Sequence, residues 1–312
     1  MFFVSAAPES RAQAPLQKVT ISYSSSGITS IEFFIAKEKG FFREEGLEPQ
    51  LVQMSANAAI AAGLTGDLIG LSSIGSAIRA IQRGAPLRAL SVTLRRPLFW
   101  LISRPEYKAV KDLKGKIMGV VTVGGSQHTA ARRLIALGGL DPDKDLTMLQ
   151  AGEESRQLQA LITNAIQASA ISPPWVLLGR DKHKMNILDS AIDKFASIQN
   201  GLAVNVKTLQ EKPELVKKIL RAKAKAGRYF DQNEKEVSQM LAKMWNTDVA
   251  TALESYLMSK PAFTGSGIPS EDEIKEYLAL DAQILKLAEP VASSQVFDFA
   301  LRREVNRELG IK

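Results

Sequence analysis

The hexad Gly124-Gly125-Ser126-Gln127-His128-Thr129 lies between an apolar run at 117–123 and a helix-like stretch at 130–137. A strand that stops at two glycines and restarts as a helix leaves backbone N–H groups without intrahelical acceptors, backed by the positive end of the helix dipole. Such a turn is either a cradle for an anion or polar ligand, or a plain βα turn in which the glycines relieve strain and Ser126 caps the helix. Similar chemistry occurs twice upstream. Ser24-Ser25-Ser26-Gly27 follows the alternating, β-branched stretch 18–23, and Ser72-Ser73-Ile74-Gly75-Ser76 follows 69–71. Each opens a segment of helical periodicity.

These loops supply the candidate ligand-binding residues: Ser25, Ser26, Gly27, Ser73, Ile74 and Gly75 on one side, and Gly125, Ser126, Gln127, His128 and Thr129 on the other. Hydroxyls and N–H groups of this kind bind oxyanions or ring heteroatoms without carrying a charge that must be desolvated. Each serine also has a plainer role as a loop hydrogen bond or cap, and His128 as a partly exposed turn residue. Ser172 and Trp175 follow another strand end, and Asn200 sits where the chain returns between lobes. Trp175 either stacks on a ligand or packs in the core. These loops carry no arginine, and Arg95 and Arg96 precede Pro97. A dianion ordinarily wants an arginine or several N–H donors, so neutral and aromatic solutes stand beside anionic ones.

Catalysis has little to work with. His128 and His183 are the two histidines, and there is no cysteine, which removes thiol chemistry, disulfides and cysteine-bound metal clusters. No spaced carboxylates or Ser/His/Asp arrangement stands out. The expectation is no catalytic residue, no metal and no cofactor.

At 312 residues the chain is long enough for two cores. Strands and helices alternate up to about residue 206, which implies parallel sheets flanked by helices; from Pro213 the pattern is nearly all helical. The formal charge of +7 bears on steering rather than on fold. The cluster Lys217, Lys218, Arg221, Lys223, Lys225 and Arg228 reads as a solvated helix face, and no nucleic-acid-binding pattern accompanies it. Residues 1–7 are mostly apolar, and Ala12-Gln13-Ala14 precedes Pro15 like a signal-peptidase site, so 1–14 reads as the remnant of a secretory signal and the mature protein as periplasmic.

Several ordered segments carry a family resemblance. They are Phe34-Ile35-Ala36-Lys37-Glu38-Lys39-Gly40-Phe41-Phe42 with Glu45-Gly46-Leu47, Ser72 to Ala80 with Arg83-Gly84-Ala85-Pro86, Asp112-Leu113-Lys114-Gly115-Lys116, Gly124-Gly125-Ser126 with Thr129 to Arg132, Leu140 to Asp145, and Ile171-Ser172-Pro173-Pro174. In order and spacing the chain resembles the substrate-binding proteins of ABC importers in the nitrate, sulfonate and taurine group, which also includes carriers of thiamine pyrimidine precursors. The resemblance implies a type II periplasmic binding fold: two α/β lobes, two crossovers, a ligand cleft between them and a helical C-terminal segment. Lobe one would be 16–103 plus 205–312, and lobe two 104–204. It further implies a monomer that captures a small anionic or neutral polar solute by lobe closure and delivers it to an ABC permease in the inner membrane. The alternative it raises is an enzyme on the same fold, of thiamine-pyrimidine or menaquinone-pathway type.

Overall fold

The computed structural model describes residues 15–312, so the signal-like segment 1–14 lies outside the described residues. Ten strands form two five-stranded sheets. In chain order they are β1 Gln17–Tyr23, β2 Leu47–Gln53, β3 Gly70–Leu71, β4 Leu87–Val92, β5 Trp100–Ser103, β6 Lys116–Val120, β7 Leu146–Gln150, β8 Ala168–Ile171, β9 Asn186–Ser190 and β10 Gly201–Asn205. The first sheet has the order β2-β1-β3-β10-β4 and the second β7-β6-β8-β5-β9. Both are mixed: β10 runs antiparallel to β3 and β4, and β5 antiparallel to β8 and β9. With helices on the sheet faces and a helical C-terminal segment, this is the two-lobed architecture expected.

Pairing moves the crossings. β5 hydrogen-bonds along β8 from Trp100 opposite Ile171 to Ser103 opposite Ala168, so it belongs to the second sheet rather than to a lobe ending at residue 103. β10 belongs to the first sheet, so the return is complete before residue 201 rather than at 205. The chain therefore crosses at about 93–99 and 191–200. A strand's apolar pattern does not say which sheet buries it, since either lobe would accept Trp-Leu-Ile-Ser. β9 also escaped sequence reading. Its Asn-Ile-Leu-Asp-Ser is half-buried throughout, as befits an edge strand with weak alternation.

The helices begin where the sequence supplies caps. Ser55 accepts from the Ala58 N–H at 3.3 Å, Asp248 from Thr251 at 2.8 Å, and Ser270 forms a capping box with Glu273. The Pro213–Gln232 helix docks on the Ile31–Glu38 helix and carries the basic cluster, in which Arg228 stays exposed and Lys218 half-buried but the other four cations are not on a solvated face. Lys217 pairs with Glu304 and Glu308, Arg221 with Glu45 and Glu308, and Lys225 with Glu44 and Glu45. Lys223 is wholly buried against Glu32 and donates to Thr93 Oγ1 at 2.6 Å. Amphipathic helices folded back on one another can bury alternate cations as well as apolar side chains, provided each finds a carboxylate. Thr93 N–H in turn donates to the Asn200 carbonyl at 2.6 Å, tying the two crossing segments together.

Candidate functional site

The strand-end loops of both sheets converge. β1 ends in Ser24–Gly27, β3 in Ser72 and Ser73 ahead of the Ile74–Gln82 helix, and β6 in Val121–Gly125 ahead of the Ser126–Leu137 helix. β6 stops at Val120, three residues earlier than the apolar run suggested, because Val121 to Gly124 turn out of the sheet and leave Val123 exposed. Beyond the carboxyl ends of strands is where open α/β sheets place ligands.

Between the lobes these loops enclose a cavity of about 50 Å³. Of the sequence candidates, Ser25, Ser73, Gly125, Ser126, Gln127 and Asn200 line it. The fit is tight: a Cβ on Gly75 would stand 2.3 Å from Ser126 Oγ and 2.8 Å from the Ile198 carbonyl, and one on Gly27 would stand 3.2 Å from Ser172 Oγ. The lobes are closed. Inter-lobe bonds hold them so: Arg79 donates to the Gly124 carbonyl at 2.6 Å, Ile28 N–H to the Pro173 carbonyl at 3.4 Å, and Arg180 makes a bidentate pair with Glu254 at 2.9 and 3.0 Å.

The Gly125 turn keeps its cradle geometry. Gly125 is the residue ahead of the helix, and the first intrahelical bond runs from Thr129 N–H to its carbonyl at 3.0 Å, so the N–H groups of Ser126, Gln127 and His128 have no such acceptor. Across the cleft the matching position is partly taken, since Gly75 N–H donates to the Gln199 carbonyl at 2.9 Å.

Other candidates sit elsewhere. Ile74 is core, and Gly75 approaches Ser126 without lining the cavity. Ser26 turns outward, its hydroxyl 3.4 Å from Glu153 and its carbonyl accepting from Trp245 Nε1 at 2.9 Å. His128 and Thr129 face a wider groove of about 1,110 Å³ beside the cavity. His128 Nδ1 accepts from Gly124 N–H at 3.2 Å, and burial, with Arg132 and Arg79 nearby, pushes its pKa down to about 4. It is neutral at pH 7. Trp175 stands on the flank of lobe two among Leu158, Leu178 and His183, away from the cavity. Ser172 is buried and donates to Glu154.

The cavity contains groups that sequence inspection passed over: Thr29, Ser76, Phe99, Thr122, Glu154 and Gln199. Glu154 is 2 % exposed and accepts from both the N–H and the hydroxyl of Ser172, at 2.9 and 2.5 Å. Burial pushes its carboxyl up to about 7, against the pull of those two donors and with a further push from Glu153. Thr122 Oγ1, Gln199 Nε2 and Asn200 Nδ2 are buried with no hydrogen-bond partner among the described residues. Buried polar groups are nearly always paired, so three around one cavity form an unfinished network. The one signal in the sequence for Glu154 is its place at a helix start, where acids are common for dipole reasons alone.

Residues 28–236 match the NMT1/THI5 like family, a span that runs from the first strand-end loop through both lobes into the C-terminal helices. The chain belongs to the NMT1/THI5-like family. It is 29% identical over 229 residues to the riboflavin-binding protein RibY of Chloroflexus aurantiacus, a match covering 70% of this chain and 63% of that protein. Among solved structures, the alkanesulfonate-binding protein SsuA of Xanthomonas axonopodis pv. citri, bound to MOPS, superposes with TM-score 0.74 at 16% identity, covering 94% of this chain and 99% of that one. The desulfurization enzyme DSZB shares the fold as well, at TM-score 0.64 and 15% identity over 94% and 99% of the two chains. At such identities the structural matches speak to fold. The NMT1/THI5-like chain therefore has the periplasmic-binding-protein architecture its sequence resembles, and no described helix is long and apolar enough to cross a membrane.

Proposed function

We propose that this NMT1/THI5-like chain is the extracytoplasmic solute-binding component of an ABC importer, a periplasmic monomer that traps one small solute between its lobes and presents the closed form to a membrane permease. The observation that carries this reading is the cavity itself. It lies at the strand ends of both sheets, its walls are drawn together by inter-lobe hydrogen bonds, and it is lined by Thr122, Gln199 and Asn200, each with a buried side-chain atom that lacks a partner among the described residues. These two amide nitrogens have no exposed surface in the closed form, so a solute bearing hydrogen-bond acceptors would satisfy them as the lobes part and re-close on it, a stronger gain than the same bonds on a solvated surface because the unpaired state is already desolvated. Neither lysine nor arginine is among its lining residues, and Arg79 is spent on Asp281 and Gly124, which favours an uncharged polar solute over a dianion. The riboflavin named for the relative RibY is a solute of that kind.

At about 50 Å³ the closed cavity admits a few waters, so loading requires the lobes to part about the crossing segments 93–99 and 191–200. Catalysis on the same fold, as in DSZB, is the competing reading. His128, the obvious general base, faces the groove beside the cavity and not its interior.

Native mass spectrometry of protein purified from its own periplasm tests both. The expected result is one solute per chain, released with its mass unchanged, and a stabilisation that keeps growing with solute concentration, about 2.7 kcal/mol at a hundredfold excess over Kd. Turnover of the released solute by fresh protein would establish the enzyme instead. Absence of any bound solute, with no stabilisation by metabolite extract, would refute solute binding.

A further inference from the structure

Glu154 is the one ionisable side chain among the described residues that line the cavity. First-turn acids are ordinary on exposed helix ends, where water solvates the carboxylate. This one is buried, and burying a carboxyl is costly unless its oxygens are hydrogen-bonded. Ser172 answers only half of that need: both of its donors fall on Oε2, and no hydrogen bond among the described residues falls on Oε1. Gln199 and Asn200 line the same cavity, and their amide nitrogens, buried in the closed form, have no partner among the described residues. The Gln199 amide is oriented by its own Oε1, which accepts from Leu98 N–H at 3.2 Å and leaves Nε2 free. The lining thus offers one strong acceptor together with two donors.

Resting on the solute-binding role proposed above, we infer that Glu154 is the specificity-determining residue of this cavity, its Oε1 accepting an N–H from an uncharged solute that carries a donor beside an acceptor, as in a lactam or imide edge. An oxyanion has only acceptors to offer. It would satisfy Gln199 and Asn200 but place like charge against Glu154, so the same carboxyl that selects an imide rejects nitrate and sulfonates.

The inference predicts a pH dependence, because the carboxylate is a far stronger acceptor of an N–H than the protonated carboxyl. Burial pushes Glu154 up to about 7, Glu153 on the same helix pushes it further, and Ser172 pulls it down. The residues facing it from lobe one and from the Val121–Gln127 turn are serines, threonines, amides and apolar groups, none of which titrates. Tyr23 on β1, itself pushed up by burial and by Glu153, stays neutral throughout.

Isothermal titration of the purified full chain with four probes tests this: riboflavin and thymine, which carry an imide edge, and methanesulfonate and nitrate, which do not. Wild type is expected to bind an imide probe in preference to either anion, about tenfold more tightly at pH 8 than at pH 6, since roughly nine-tenths of a group titrating near 7 is protonated at the lower pH. Glu154→Gln keeps an acceptor for Ser172 but turns an amide donor into the cavity. It should weaken the imide probe by about tenfold or more, abolish the pH dependence, and improve methanesulfonate binding. Tighter wild-type binding of an anion, or imide binding that is flat between pH 6 and 8, would overturn the role of Glu154 while leaving solute binding intact. Binding of none of the four would overturn the imide preference, and native mass spectrometry then decides solute binding separately. Should the variant fold poorly, the wild-type pH series decides alone.

Discussion

A methyl group added at position 75 would separate closure of the lobes from stability of the fold. Gly75 lies in the first turn of the Ile74–Gln82 helix with ordinary negative φ, so alanine suits its backbone and favours the helix by up to about 1 kcal/mol. The added Cβ nevertheless stands 2.3 Å from Ser126 Oγ and 2.8 Å from the Ile198 carbonyl, where ordinary contact begins near 3.4 Å. Ser126 belongs to lobe two and Ile198 to the return crossing. Relief therefore demands that Ser126 Oγ rotate or draw back by about 1 Å and that the Ile198 backbone give by about 0.6 Å. Overpacking of this size costs about 1–3 kcal/mol, and here the Ser126 share falls on the closed form, while the Ile198 share stays with lobe one, where Ile198 packs beside Ile74. Because the solute binds tightly only to that form, Gly75→Ala should weaken binding about 5- to 150-fold, a larger effect than the change it makes in the melting of the free protein. Titration calorimetry gives the affinity, and small-angle scattering should show less contraction on saturation than in wild type. Adding Ser126→Ala should recover part of the loss, since its Cβ is 3.6 Å from the new methyl, an ordinary contact. An affinity within twofold of wild type, with full contraction, would refute the reading that Gly75 meets lobe two when the lobes close on the solute.

Two further outcomes concern stability. The Glu154 carboxyl titrates near 7 in the fold against an ordinary 4.5, so its contribution is fully present below pH 4.5 and lost as pH rises through 7, about 3 kcal/mol in all; urea unfolding of wild type minus Glu154→Gln should fall by that order between pH 4.5 and 8, and a flat difference would show that the buried carboxyl is not shifted. Lys223→Met leaves Glu32 buried without its cation and should cost about 3–5 kcal/mol in urea denaturation, largely recovered by adding Glu32→Gln; a loss below about 1 kcal/mol would mean that the pair is solvated.

The strand-end loops that line the cavity were legible in the sequence because their signal is local. A strand ending in serines and glycines and followed by helical periodicity yields unpaired N–H groups wherever it occurs, and Ser25, Ser73 and Ser126 do line one cavity. The alternation of strands and helices likewise determined two α/β lobes, and the ordered segments from Phe34 to Pro174 pointed to their family. Tertiary structure decided what depends on partners distant in the chain. Sheet membership of β5 and β10 rests on hydrogen bonds to strands dozens of residues away, which moved both crossings. The basic helix gave up its solvated face when Glu32, Glu45 and Glu308 met it. Trp175 fell on the flank because a helix phase, not its proximity to a strand end, sets where a side chain points. Glu154 gained its place in the same way: in sequence it is one acid among many at helix starts, and only the closing of Ser172 and the opposite lobe around it removes the water that would make it ordinary.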